Sequence, residues 1–191
     1  MYRLFDGVAP MRYLSIVLSL LIFPAIAVAE DKLTPRPLDP LASDTFAHAV
    51  ERSAVVRALV ARLESSNVIV HIVTSLQMPG GIGGTTRFVT SRGGYRYVRI
   101  TLGSDLMLRA RTAILGHELQ HACEVANSSA TDVDGMRELF EHVGHRAGDY
   151  FETIAAIRTE QTVRTELRAS RSLRLRSEQA LQAEPAAKFD H

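Results

Sequence analysis

The chain has 191 residues, 46% of them hydrophobic and 23% charged, enough apolar material for one globular domain with a packed core. A formal net charge of +1 excludes a bulk electrostatic pull toward nucleic acid or a membrane surface. Cys123 is the only cysteine, so no internal disulfide is possible and the fold must stand on its core.

The first element in chain order is a secretory signal peptide, expected over residues 1–29. Arg12 precedes the apolar run Leu14–Ile26, and Ala27-Val28-Ala29 supplies the small-x-small pattern that places cleavage before Glu30. Pro24 and the shortness of the run argue against a permanent span, with an uncleaved anchor as the alternative. Met11, followed at once by Arg12, makes a more ordinary start than Met1, whose long leader carries Asp6 and Pro10. Removing residues 1–29 takes away Arg3, Arg12 and Asp6 and leaves basic and acidic side chains in balance. The mature chain is therefore expected to be secreted or periplasmic, with no nucleic-acid partner and no stable membrane insertion; its oligomeric state is left open.

Residues 30–43, with Pro35, Pro37 and Pro40, read as an extended Pro-rich linker. A domain is expected over 44–170. It opens with one amphipathic helix from Ser43 to Ser66, whose stripe is Phe46, Val50, Val56, Leu59, Val60 and Leu63. Val68–Val73 is β-branched and nearly continuous, a buried strand. Gly80, Gly81, Gly83 and Gly84 lack the following Lys-Ser/Thr of a phosphate cradle and read as a mobile hairpin loop. Arg87–Thr90 and Tyr95–Leu102 flank Ser91-Arg92-Gly93-Gly94 as a β-hairpin, with Val98, Ile100 and Leu102 on a buried face and Tyr97, Arg99 and Thr101 on an open one.

A long helix follows from an N-cap at Ser104 to about Asn127. After Thr131 an amphipathic helix turns Val133, Met136, Leu139, Phe140 and Val143 inward and closes at Gly144. A last helix is expected to begin near Asp149 and bury Phe151, Ile154, Ala155 and Val163. Arg164, Arg168, Arg171, Arg174 and Arg176 read as a solvated face, and 171–191 as a polar tail. Helices segregated from a small sheet make the fold class α+β.

The long helix carries His117-Glu118-Leu119-Gln120-His121, an H-E-x-x-H in an apolar run. Histidines at i and i+4 stand one turn apart on one face, so their rings can converge on one Zn²⁺ at about 2.0–2.1 Å. Glu118 projects toward a water on the metal; zinc lowers that water's pKa and the carboxylate takes its proton. Two imidazoles and a carboxylate in an apolar setting are costly unless something pairs with them, and a metal satisfies all three. Cys123 lies about 200° round the helix from His121, so it points away from this face and reads as a small buried hydrophobe.

The run Ala113–Cys123 resembles the zincin metallopeptidases, whose extended signature has uncharged residues where this chain has Leu115, Gly116, Leu119, Gln120, Ala122 and Cys123. The resemblance covers roughly Val68 to Arg168. It implies a short β-sheet followed by the motif helix and further helices, and peptide-bond hydrolysis through a zinc-bound water activated by Glu118. Catalytic zinc takes three protein ligands, so a third is required. The metzincin type would need Gly at 124 and His or Asp at 127, where Glu124 and Asn127 stand, and the Gly-Thr-x-Asp setting of the deuterolysin-like type has no match.

The gluzincin type remains, with a glutamate on a later helix. Glu152 is the first choice, placed at the start of the last helix beside Phe151, Ile154 and small alanines. Its setting resembles the gluzincin E-x-x-x-D, but Ala156 stands in place of the Asp that supports a ligand. Glu141, twenty positions beyond His121, is the alternative, and Glu124 is better placed as a partner to an imidazole than as a ligand. Tyr150, His142 and His145 are candidate oxyanion donors, with Tyr150 preferred. The substrate is then a peptide or protein, held by β-addition to Tyr95–Leu102 with Tyr97, Arg99 and Thr101 reading side chains. The rival reading is a non-catalytic peptide-binding or chaperone-like protein that keeps the zincin fold; the intact Glu118 argues against it, and the missing acid at 156 for it.

Overall fold

A computed structural model describes residues 34–148 and 150–183. The signal-peptide reading and the end of the polar tail lie outside these residues. The fold is α+β, a four-stranded sheet and a two-stranded hairpin with five helices.

Arg36–Pro37 forms a short strand, β1, parallel to β2 (Val68–Ser75). Residues 34–43 are thus built into the fold and are not a linker. Asp39 explains why: its carboxylate caps α1 (Pro40–Arg52) at the Ala42 N–H, 2.8 Å away, and also accepts from the Thr74 backbone N–H at 2.7 Å and hydroxyl at 3.0 Å. The single helix expected over 43–66 is two. Ser53 is extended, closes α1 through its N–H to the Ala49 carbonyl, and caps α2 (Ala54–Glu64) by accepting from the Val56 N–H.

The main sheet has the order β1-β2-β4-β3. β3 (Gly84–Arg92) and β4 (Tyr95–Gly103) form the expected antiparallel hairpin across Gly93-Gly94, both at positive φ, with a bulge between Phe88 and Thr90. β4 also pairs in parallel with β2, from Val68 opposite Arg96 to Ser75 opposite Gly103. Val68, Val70, Ile72, Val98, Ile100 and Leu102 face the helices and are fully buried. The glycine-rich segment is a short helical turn, Pro79–Gly81, leading into β3, where Gly83 and Gly84 pack against the long helix.

That helix, α3, runs Leu108–Ala126 and packs on the sheet, on α1 and α2, and on α5. Its cap is not Ser104: Met107 precedes it without a side-chain cap, and Arg111 instead bonds back to the Leu106 carbonyl at 2.6 Å. At its other end the buried Arg96 of β4 donates to the carbonyls of Val125, Ala126, Ser128 and Ala130 and to Asn67 Oδ1. α4 (Val133–Val143), capped by Asp132, buries Met136 and Phe140, while Val133 and Val143 are exposed. The last helix starts later than expected. Residues 145–147 and 150–152 are strands β5 and β6, paired as a hairpin, and α5 runs Ile154–Ala183. Thr153 is its cap, accepting from the Ala156 N–H at 3.1 Å, and this register buries Ala156, Val163 and Leu167 and leaves Ile154 and Ala155 outside. Among the described residues no helix is long and apolar enough to cross a membrane.

Candidate metal centre

α3 turns His117, Glu118 and His121 inward as the i, i+1, i+4 spacing requires, and all three are at most 7% exposed. Gly116 makes this possible on the α5 side. A Cβ there would come within 2.8 Å of Val163 Cγ2, so only glycine lets the two helices approach this closely. The Nε2 atoms of His117 and His121 face each other at 3.1 Å, and Glu152 Oε2 lies 3.0 Å from the former. The donor atoms of His117, His121 and Glu152 all fall within 4.8 Å of one another. Tetrahedral ligands at 2.0–2.1 Å from a common ion stand roughly 3.3 Å apart, so the three can share one metal with small adjustments.

The carboxylates around the rings supply a second test of that fit. His121 Nδ1 donates to Glu124 Oε2 at 2.9 Å, and Glu124 is held by the Thr153 hydroxyl at 2.8 Å. His117 Nδ1 lies 3.3 Å from Glu160 Oε2, at ion-pair distance but off the line of a regular hydrogen bond, while Arg164 holds the other oxygen of Glu160 at 2.6 Å. A carboxylate beside each Nδ1 keeps the proton there and leaves both Nε2 lone pairs pointing at one place, the usual support for metal-bound histidine. Two Nε2 atoms 3.1 Å apart need a proton or a metal ion between them. Burial alone would lower the His117 pKa, but Glu152 and Glu160, with the charge of Glu118, overcome it and lift the imidazolium to about 10. The pocket is set up for positive charge.

Glu118 has no partner among the histidines. The Thr86 hydroxyl, on β3, donates to its Oε2 at 2.7 Å, and Gly84 leaves room for the carboxylate: a Cβ there would sit 2.8 Å from Oε1. Burial raises the Glu118 pKa, against the lowering effect of His121, His117 and Thr86. Glu124 moves the other way, because its bonds to His121 and Thr153 outweigh its burial. Cys123 is buried on the far side of α3, and burial pushes its thiol up to about 11, so it is inert.

His117, Glu118, His121, Glu152 and Glu160 line a cleft of about 810 Å³ between β3, α3, α4 and β6. Its apolar wall is Phe88, Val133, Met136 and Phe140, the last with its ring edge-on to His121 at 5.1 Å. Tyr150 lines the cleft; His142 and His145 are exposed and do not, and neither does Glu141, which is exposed on α4. Glu152 reaches the histidines, but from strand β6 and not from a helix. Tyr95–Leu102 cannot take an added strand because β4 lies between β2 and β3; among the described residues the strand at the cleft with a free edge is β3.

Two residues were missed in the sequence. Glu160 is one helical turn beyond Ala156 and sets a carboxylate oxygen 3.3 Å from His117 Nδ1. It lies among Ala156, Val163 and Leu167, so an acid on an apolar stripe was the available signal. Thr86 carried none, since a threonine in a strand is ordinary. No protein-family model, curated protein or solved structure matches the chain.

Proposed function

We propose that the chain is a small secreted or periplasmic zinc metallopeptidase of gluzincin-like fold, with His117, His121 and Glu152 as metal ligands and Glu118 as general base. The observation that carries this reading is the convergence of the two Nε2 atoms and Glu152 Oε2, next to a buried carboxylate that is not itself one of the converging donors. Zinc bound there supplies Lewis acidity, lowering a water's pKa and polarising a carbonyl. Glu118 accepts the water's proton and hands it to the leaving amine, with Thr86 holding the carboxylate in place. Glu124 and Glu160 orient the imidazoles, and Tyr150 is the candidate donor to the developing oxyanion. The open edge of β3 holds an extended peptide across the cleft, and the wall of Met136 and Phe140 takes an apolar side chain.

The missing acid at 156 favoured the rival of a non-catalytic binder. Glu160 now offers the carboxylate that Ala156 lacks, which weakens that objection. The test is cleavage of an unstructured protein by zinc-loaded chain and by Glu118→Gln. The variant is expected to keep its zinc and fold and lose hydrolysis by at least about 100-fold. Equal cleavage by both forms would sink the mechanism.

A further inference from the structure

The two faces of the main sheet differ in charge. In the pairing register Arg36 of β1 stands beside His71 of β2, His71 beside Arg99 of β4, and Arg99 beside Arg87 of β3. The neighbours Ile72, Val98, Ile100 and Thr86 point to the helices, so this row of four lies on the outer face, about 14 Å long at ordinary strand spacing. None of the four strands contains an Asp or Glu. Arg87 and Arg99 are exposed and make no ion pair among the described residues. Like charges directly opposite one another destabilise a sheet, and the row carries that cost where Arg99 meets Arg87. It ends at β3, the strand whose edge is open at the cleft, and Arg87 itself is one of the cleft-lining residues.

We propose that the cleft takes extended acidic peptides, with a substrate carboxylate seated beside Arg87 as the next member of the cross-strand row. Successive side chains of a strand laid along β3 alternate between faces. The residue opposite Thr86 points into the cleft toward Glu118, and its neighbour opposite Arg87 points to the outer face. A carboxylate there meets Arg87 directly and Arg99 one strand further on, and relieves the repulsion along the row. Burial, together with Arg36 and Arg99, keeps His71 below its usual pKa, so the row's charge near neutrality comes from the arginines. The selection of a cleaved sequence rests on the peptidase reading; the docking of the acidic strand does not.

The test scans a single Glu, Gln or Lys through each position of a short, labelled, otherwise uncharged peptide. Binding by anisotropy and cleavage are both followed, with wild-type zinc-loaded chain, Arg87→Gln and Arg87→Glu. At one position Glu should be favoured over Gln about fivefold at low salt, an advantage that fades as salt rises. Arg87→Gln should remove that preference, and Arg87→Glu should move it to Lys. Preferential binding of the Glu peptide without cleavage supports the docking and sinks the peptidase reading. Cleavage with no preference that follows the charge at 87 overturns the inference and leaves the peptidase standing. Failure of every peptide to bind, or capture of anionic vesicles or DNA in their place, overturns it as well.

Discussion

Arg96 and the histidine pair are both buried polar groups on or beside α3, yet they are satisfied in opposite ways. Arg96 donates to four backbone carbonyls and to Asn67, and so closes the C-terminal end of the helix. Burial pulls its pKa down, but its donors are occupied and nothing further is called for. His117 and His121 turn their Nε2 atoms toward each other, ringed by Glu118, Glu124, Glu152 and Glu160. The first arrangement is complete and holds the fold; the second gathers an excess of carboxylates around two rings whose donor atoms could share one metal ion. Burial and charge alone do not separate a structural group from a binding site, whereas the balance of donors and acceptors does.

Substitutions should pull the two regions apart. His117→Ala or Glu152→Ala should abolish or strongly weaken zinc binding, seen as metal content of purified protein, while the exposed Glu141→Ala leaves it intact. Each of the two ligand changes also breaks the His117–Glu152 ion pair, so apo-protein stability should fall somewhat while metal content falls to near zero. Unchanged metal content in His117→Ala would remove the site. Arg96→Leu should do the reverse. It strips partners from buried carbonyls at a cost of about 3 kcal/mol, a fall in Tm of roughly 6–12 °C, with the folded fraction still binding one zinc.

A smaller effect is expected at Glu160. Glu160→Gln keeps the shape but weakens the charge beside His117 Nδ1, and should lower zinc affinity about 10- to 100-fold by chelator competition. No change would leave Glu160 as a surface partner of Arg164 alone. The smallest effect belongs to the cap between α1 and the sheet. Burial works to raise the Asp39 pKa, but the N–H groups of Ala42 and Thr74 and the Thr74 hydroxyl outweigh it and hold it below 3.8. A group with a depressed folded pKa stabilises above its unfolded value and loses that contribution as pH falls through the folded one. Asp39→Ala should therefore cost about 1 kcal/mol at pH 7, and the gap to wild type should close in acid below 3.8. A gap in urea midpoints that does not narrow with acid would refute the cap.

The elements that were legible in the sequence are those long enough to show a period. α3, α4 and the β3–β4 hairpin follow from spacing, as does the shared face of His117 and His121. β1, β5 and β6 have two or three residues each, too few for alternation to register, and Pro37 within β1 reads locally as linker. Ser53 lies inside an apolar stripe that continues through it, so the break between α1 and α2 shows only in its backbone. In the sequence Glu152 reads as part of the last helix; that helix starts two residues later, and Glu152 reaches His117 because the hairpin lays it there. Thr86 and Glu160 touch the site across 32 and 43 residues of sequence respectively; Thr86 leaves no local pattern, and Glu160 shows only as an acid on an apolar stripe.

The placement of Glu152 on a three-residue strand has one more consequence. α3 is fastened to the rest of the molecule along its whole length, whereas β6 is one arm of a small hairpin turned at Gly148. An ion shared by the two would act as a clasp between the long helix and this hairpin flap, which also rests on α4. By reciprocity, whatever free energy the ion gains from a flap already in position is returned as added order in the flap when the ion arrives. Proteolytic nicking near Gly148 and the dissociation constant of the ion would then be two readings of one coupling, and a substitution that stiffens the turn would tighten the grip on the metal without touching a ligand.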